Sequence, residues 1–223
     1  MAVIEAWSAD QVRPAIERVQ AEAAAGRWCV GGLAYEAAPA FDPALPVRPA
    51  DPAWPLVWFG VYEAPQTGPA TASEPATRID WHPDWTRQTY ITRAEAARQA
   101  MAAGECYQIN LTTALQGALA GDPGGWMDAL RRHQAGGYLL WLGDADRQIL
   151  SASPELFFDW QPGPQGGRLC CRPMKGTAAR ESDPAHDRAA RDALHASAKE
   201  RAENVMIVDL LRNDMGRLAQ TGS

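Results

Sequence analysis

Apolar and polar positions along this chain follow two periods, and the changes between them mark its elements. Ser8-Ala9-Asp10-Gln11 has the form of a capping box, with Gln11 three residues after Ser8, and predicts a helix to about Ala25 closed by Gly26. Residues 28–35 read as a strand with a glycine-weakened middle, and residues 56–62 form an apolar run of strand length. Between them, residues 37–55 hold six prolines and predict a surface loop. Further on, Thr92 with Glu95 three residues later predicts a second helix. Ala94, Ala97, Ala100 and Met101 form its buried face, and Gly104 ends it. Residues 106–112 alternate and are β-rich, which predicts a strand.

Asp122-Pro123 starts a helix that runs to about Gln134 and stops at Gly136-Gly137. Residues 138–142, 148–151 and 156–160 then read as antiparallel strands joined by Asp and Gly turns. Asp183-Pro184 opens another helix. A last one covers residues 199–214, with Ala202, Val205, Met206, Val208, Leu210 and Leu211 apolar. The pattern is α+β, with mostly antiparallel sheets packed with helices.

Residues 64–76 are rich in Pro, Thr, Ser, Ala and Gly, the composition of a linker. This divides the chain into a segment 1–66, a linker 67–80 and a segment 81–223. With 223 residues and 46% hydrophobic content, the chain can build a core. A net charge of −6 argues against a nucleic-acid partner. No apolar run reaches the roughly 18 residues of a membrane span, and the N-terminus has no basic region followed by an apolar stretch. The four cysteines, Cys29, Cys106, Cys170 and Cys171, form no Cys-x-x-Cys pair and read as buried free thiols of a cytoplasmic protein.

Three groups can carry chemistry. Lys175 precedes Gly176-Thr177 at a strand end. A lysine is nucleophilic only when neutral, which burial or a neighbouring cation such as Arg172 or Arg180 would favour. Glu155 follows Pro154 at the start of an apolar strand, where desolvation against Leu156, Phe157 and Phe158 would keep it protonated as a general acid. Glu203 lies on the last helix one turn after Glu200, on a face that can hold Mg²⁺. Taken alone, these residues leave plainer readings open: a solvated lysine, a strand-end glutamate and a charged helix face paired with Lys199 or Arg201. There is no phosphate loop, no dinucleotide glycine fingerprint and no Gly-x-Ser-x-Gly elbow. His82, His133, His186 and His195 have no compact metal-ligand spacing.

Four blocks in order, residues 104–112, 153–155, 173–177 and 203–214, resemble the chorismate-utilising enzymes. Within that family the closest likeness is to the aminodeoxychorismate synthase component I group, and residues 35–43 resemble members fused to an aminodeoxychorismate lyase. The resemblance implies an anthranilate synthase component I-like fold. It implies that Lys175 attacks chorismate, that Glu155 is the general acid and that Gly176 and Thr177 shape the substrate pocket. Glu203 would hold Mg²⁺, and a separate glutamine amidotransferase subunit would supply ammonia. The product would feed p-aminobenzoate and folate synthesis.

Anthranilate synthases read Pro-Ile-Ala-Gly-Thr where this chain has Pro173-Met174-Lys175-Gly176-Thr177, which argues against anthranilate as product. A non-catalytic remnant that only binds a partner is the other alternative. The Asn-Pro-x-Pro block associated with bound tryptophan in some members is replaced by residues 133–138, so tryptophan binding is not expected. The family's later blocks are absent, so the expectation is the front part of an enzyme, with exposed sheet edges and apolar faces and low or no activity alone.

Overall fold

The computed structural model describes residues 2–67, 79–134, 136–164 and 166–222. The chain forms two compact units, one of Met1–Ala72 with Trp141–Ile149 and one of Ser73–Leu140 with Leu150–Ser223. Residues 68–78 of the predicted linker lie outside the described residues, while Ile79 near its end is buried.

The first unit is a three-stranded antiparallel sheet with one helix on it. Strand β1 (Ala2–Ala6) and strand β2 (Trp28–Leu33) flank the central β3 (Val57–Tyr62). The apolar run of β3 suits a strand covered on both sides, and Leu56, Val57 and Val61 are buried with Ile4, Val12 and Ala15. β1 was not anticipated from the sequence. Its five residues are too short for a clear period. Helix α1 (Ala9–Ala24) follows Ser8 and ends before Gly26, whose φ of 87° only glycine adopts without strain. The expected capping box is offset: Gln11 Oε1 accepts the N–H of Trp7 at 2.9 Å, and Ser8 Oγ donates to Asp10 instead of capping a backbone N–H. In the proline-rich segment, Tyr35–Ala40 is a short 3₁₀ helix that buries Ala37.

The second unit contains β4 (His82–Pro83), α2 (Arg87–Ala102), β5 (Leu115–Gln116), α3 (Pro123–His133), β8 (Leu156–Gln161), β9 (Arg168–Arg172), α4 (Pro184–Ala196) and α5 (Ala198–Gly216). The β6 (Tyr138–Gly143) and β7 (Gln148–Ser153) pair contributes its tip to the first unit and its ends to the second. All elements together make an α+β protein in which β1–β3, β2–β3, β4–β5 and β8–β9 pair antiparallel.

Four sequence expectations need correction. Helix α2 is capped six residues before Thr92, because Thr86 Oγ1 accepts the Thr89 N–H at 3.1 Å and satisfies the first turn. Its expected buried face is only half-covered, and Met101 is exposed. Residues 106–112 form no strand: no described strand runs beside them to take ladder bonds, and Tyr107 and Ile109 are exposed. Strand β8 pairs with β9 rather than continuing a meander from β7. Pro154 has no N–H to offer a ladder, and Ser153 Oγ takes the N–H of Glu155 at 3.1 Å, which turns the chain. The four cysteines are free, as expected, but half-buried. Asp122 and Asp183 cap α3 and α4 at the predicted starts.

Of the described hydrophobic residues that are buried, Ile79 alone belongs to the second unit. Its apolar side chains face outward instead, with Phe157 77% and Val205 68% exposed. Among the described residues no helix is long and apolar enough to cross a membrane.

Candidate functional site

Three elements of the second unit meet at the segment that follows β9. The pairing of Leu156 with Arg172 sets the β7–β8 turn beside Pro173-Met174. From that turn the Glu155 carboxylate reaches across, and its Oε1 accepts the Met174 N–H at 2.9 Å. Ser153 Oγ fixes the turn by donating to the Glu155 carbonyl at 2.9 Å while accepting its N–H. Glu155 is half-buried, as is Lys175, which lies in a stretch without secondary structure.

Helix α5 approaches from the other side. Ser197 Oγ accepts the Glu200 N–H at 3.3 Å and starts the helix there, one residue earlier than the sequence predicted. The half-covered stripe of α5 carries Glu200, Glu203, Asn204, Ile207 and Leu211, spaced for one helical face. Asn204 Nδ2 donates to the Lys175 carbonyl at 3.2 Å. Gly176 lies against Glu200: a Cβ there would come 2.9 Å from Glu200 Oε2 and 3.3 Å from Leu194 Cδ1. Its φ of 78° also demands glycine. Thr177 is exposed.

Glu155, Lys175, Gly176 and α5 are thus brought together by direct contacts. Glu203 shares the helix face with Glu200 and Asn204. Sequence reasoning treated Glu200 as a charged helix residue and passed over Asn204. The available signals were the Ser197-x-x-Glu200 capping pattern and the position of Asn204 one turn beyond Glu200.

The acidic pair suits a cation. Lys199 Nζ lies 3.8 Å from Glu200 Oε1 and 3.7 Å from Glu203 Oε1, so one positive charge already serves both carboxylates. Among the described residues no group of three or more metal-ligating side chains gathers. Mg²⁺ needs only one or two protein carboxylates, since waters and substrate oxygens fill its remaining positions. Glu203 and Glu200 therefore fit it in donor type.

Concavities among the described residues lie elsewhere. An open groove of about 850 Å³ runs along α5 past Met206, Leu210 and Asn213 to Tyr107, and none of the candidate residues lines it. A cavity of about 230 Å³ in the first unit is walled by Leu33, Trp54, Trp58 and Arg147.

A family model described as chorismate binding enzyme matches residues 3–223. The chain belongs to this family. Among relatives of this chain, the aminodeoxychorismate synthase component 1 of Salmonella typhimurium is 38% identical over 143 residues, covering 64% of this chain and 31% of the relative. That of Klebsiella aerogenes is 35% identical over 173 residues, covering 78% and 36%. The anthranilate synthase component 1 of Streptomyces coelicolor is 35% identical over 158 residues, covering 70% and 30%. The chain thus spans about a third of the length of these relatives.

Proposed function

We propose that this chain belongs to an aminodeoxychorismate synthase component I, which converts chorismate and ammonia to 4-amino-4-deoxychorismate. The observation that carries the reading is the anchoring of the Lys175 segment between Glu155 and α5. The lysine itself separates this reading from anthranilate synthesis, and two of the three relatives above carry the name aminodeoxychorismate synthase component 1.

In the proposed reaction, neutral Lys175 Nζ forms a bond to C2 of chorismate. Both ring double bonds shift, from C1=C2 and C5=C6 to C1=C6 and C4=C5, and the C4–O bond breaks. Glu155 gives its proton to the departing hydroxyl, which leaves as water, and the lysine nitrogen releases one proton. Ammonia then bonds to C4 while the C2–N bond breaks. The proton lost by the ammonia nitrogen restores the lysine amine, so the balance is chorismate plus ammonia to product plus water. Glu155 Oε1 is occupied by the Met174 N–H, which leaves Oε2 to carry the transferable proton. Gly176 and Thr177 border the lysine and would shape the substrate pocket. Mg²⁺, held partly by Glu203, would supply positive charge to a chorismate carboxylate. A glutamine amidotransferase subunit would deliver the ammonia, a fused or separate lyase would take the product towards p-aminobenzoate and folate, and the setting would be cytoplasmic.

The test is to incubate the whole component I that contains this chain with chorismate, Mg²⁺ and excess ammonium, add an aminodeoxychorismate lyase, and separate the products. p-Aminobenzoate that disappears with Lys175→Ala is the expected result. Anthranilate instead would overturn the reading.

A further inference from the structure

The amine of Lys175 hangs on a flexible four-carbon stem, so its direction depends first on how its backbone is held. Two hydrogen bonds bracket that backbone. Before it, Met174 N–H donates to Glu155 Oε1 at 2.9 Å. At Lys175 itself, the carbonyl oxygen accepts from Asn204 Nδ2 at 3.2 Å. The same Nδ2 lies 3.4 Å from the Glu200 carbonyl, one helical turn back in α5. Both partners are carbonyl oxygens, so only the NH₂ end of the amide satisfies them, and the side chain is fixed in orientation. Immediately afterwards Gly176 turns the chain at φ 78° against Glu200.

We propose that Asn204 is the positioning residue for Lys175. By tying the Lys175 carbonyl to α5, it sets the direction in which the amine leaves the loop and keeps it half-covered. The assignment rests on Lys175 being the reactive amine of the proposed reaction. Alanine at position 204 would release the carbonyl. Aspartate would set a carboxylate oxygen against it, at nearly the same side-chain volume.

The chain has only two lysines, Lys175 and Lys199, which makes the test direct. Lys199 is 76% exposed and serves as an internal reference. Reductive methylation with ¹³C-formaldehyde labels both lysine amines, together with the α-amine of the chain, and keeps them cationic. In the unaltered protein, Lys175 is expected to react several-fold more slowly than Lys199 and to show a separate methyl resonance. In Asn204→Ala, and in Asn204→Asp at neutral pH, the rate ratio should fall towards one and the Lys175 resonance should move to the position of an exposed lysine.

Asn204→Asp supplies the control for the hydrogen bond, since at neutral pH it keeps the side-chain volume and removes the donor. A side chain that merely filled space would leave the Lys175 ratio and resonance of Asn204→Asp at their original values. A Lys175 ratio and resonance unchanged in Asn204→Ala would overturn the proposal. So would an Asn204→Asp protein with native circular dichroism and an unchanged Lys175 ratio and resonance. Neither readout needs turnover, so failure of the proposed reaction and failure of this assignment are separately visible.

Discussion

Glu155 Oε1 accepts the backbone N–H of Met174 at 2.9 Å, so the candidate acid is also an anchor for the segment carrying Lys175. The two roles use different properties of one side chain and come apart on substitution. Glu155→Gln keeps an acceptor oxygen but has no acidic proton. Its thermal unfolding should stay near that of the parent, while product formation falls by about 10²- to 10⁴-fold, the usual worth of a positioned general acid. Glu155→Ala loses the anchor as well, and should cost on the order of 1 kcal/mol of stability. A glutamine variant that turns over normally would leave Glu155 with the anchoring role alone.

Gly176 meets two separate constraints, a φ of 78° and the approach of Glu200 Oε2 to within 2.9 Å of a would-be Cβ. Gly176→Ala should therefore destabilise the second unit by about 1–2 kcal/mol from the backbone alone, with the contact adding to it. Combining it with Glu200→Ala should recover the part due to the contact and leave the backbone part. Urea unfolding of the two single variants and the pair measures both. Full recovery in the pair would mean that the left-handed conformation costs nothing here.

The elements most legible in the sequence were those with local chemistry. Asp122-Pro123, Asp183-Pro184 and the terminal glycines of α1 and α2 mark helix ends with their own side chains or their lack of one. β3 was legible because a central strand needs apolar residues on both faces. Pairing was not. Residues 106–112 have the alternation of a strand, yet alternation says nothing about which chain supplies the ladder. The split of β8 from β7 depended on a Ser153 hydroxyl taking a backbone N–H. In the site, Lys175, Glu155 and Glu203 could be singled out by residue type and resemblance. Asn204 could not, since its role depends on a carbonyl 29 positions away.

Acid should weaken the fold through two identifiable carboxylates. Arg180 Nε and Nη2 donate to Asp187 Oδ1 and Oδ2 at 2.8 and 2.9 Å, and Glu181 N–H adds a third bond. These bonds, Arg180 foremost, hold the Asp187 carboxyl below the ordinary carboxylate range. Arg147, with the backbone N–H groups of Asp146 and Arg147, does the same for Asp144. Both groups therefore bind protons more weakly folded than unfolded. The stability they add is complete above the unfolded value of about 4 and is lost as pH falls through the lower folded value. The urea midpoint should hold steady near neutrality and drop below about pH 4, and Asp187→Asn should flatten part of that drop. Because Arg180 is 88% exposed, salt should shrink the difference. Superimposable acid profiles for variant and parent would rule this contribution out.

Arg147 holds the tip of the β6–β7 pair within the first unit by two kinds of contact. Its Nη2 lies 2.6 Å from Asp144 Oδ2 and 3.3 Å from Glu5 Oε1, and its guanidinium carbon sits 5.4 Å from the Trp7 ring centre and 5.5 Å from that of Trp54. A lysine can replace the charge, but it has no plane to lie over two indoles and no fork to reach two carboxylates. Arg147→Lys should therefore lower the melting temperature of the first unit and shift tryptophan emission to the red as the indoles gain solvent. Arg147→Met keeps the apolar stem and removes the charge, leaving Glu5 and Asp144 to repel. It should be the less stable of the two at low ionic strength, and added salt should narrow the gap by screening that repulsion. If the lysine variant matched the parent in both melting and emission, charge alone would suffice at this position and the indole contacts would be incidental.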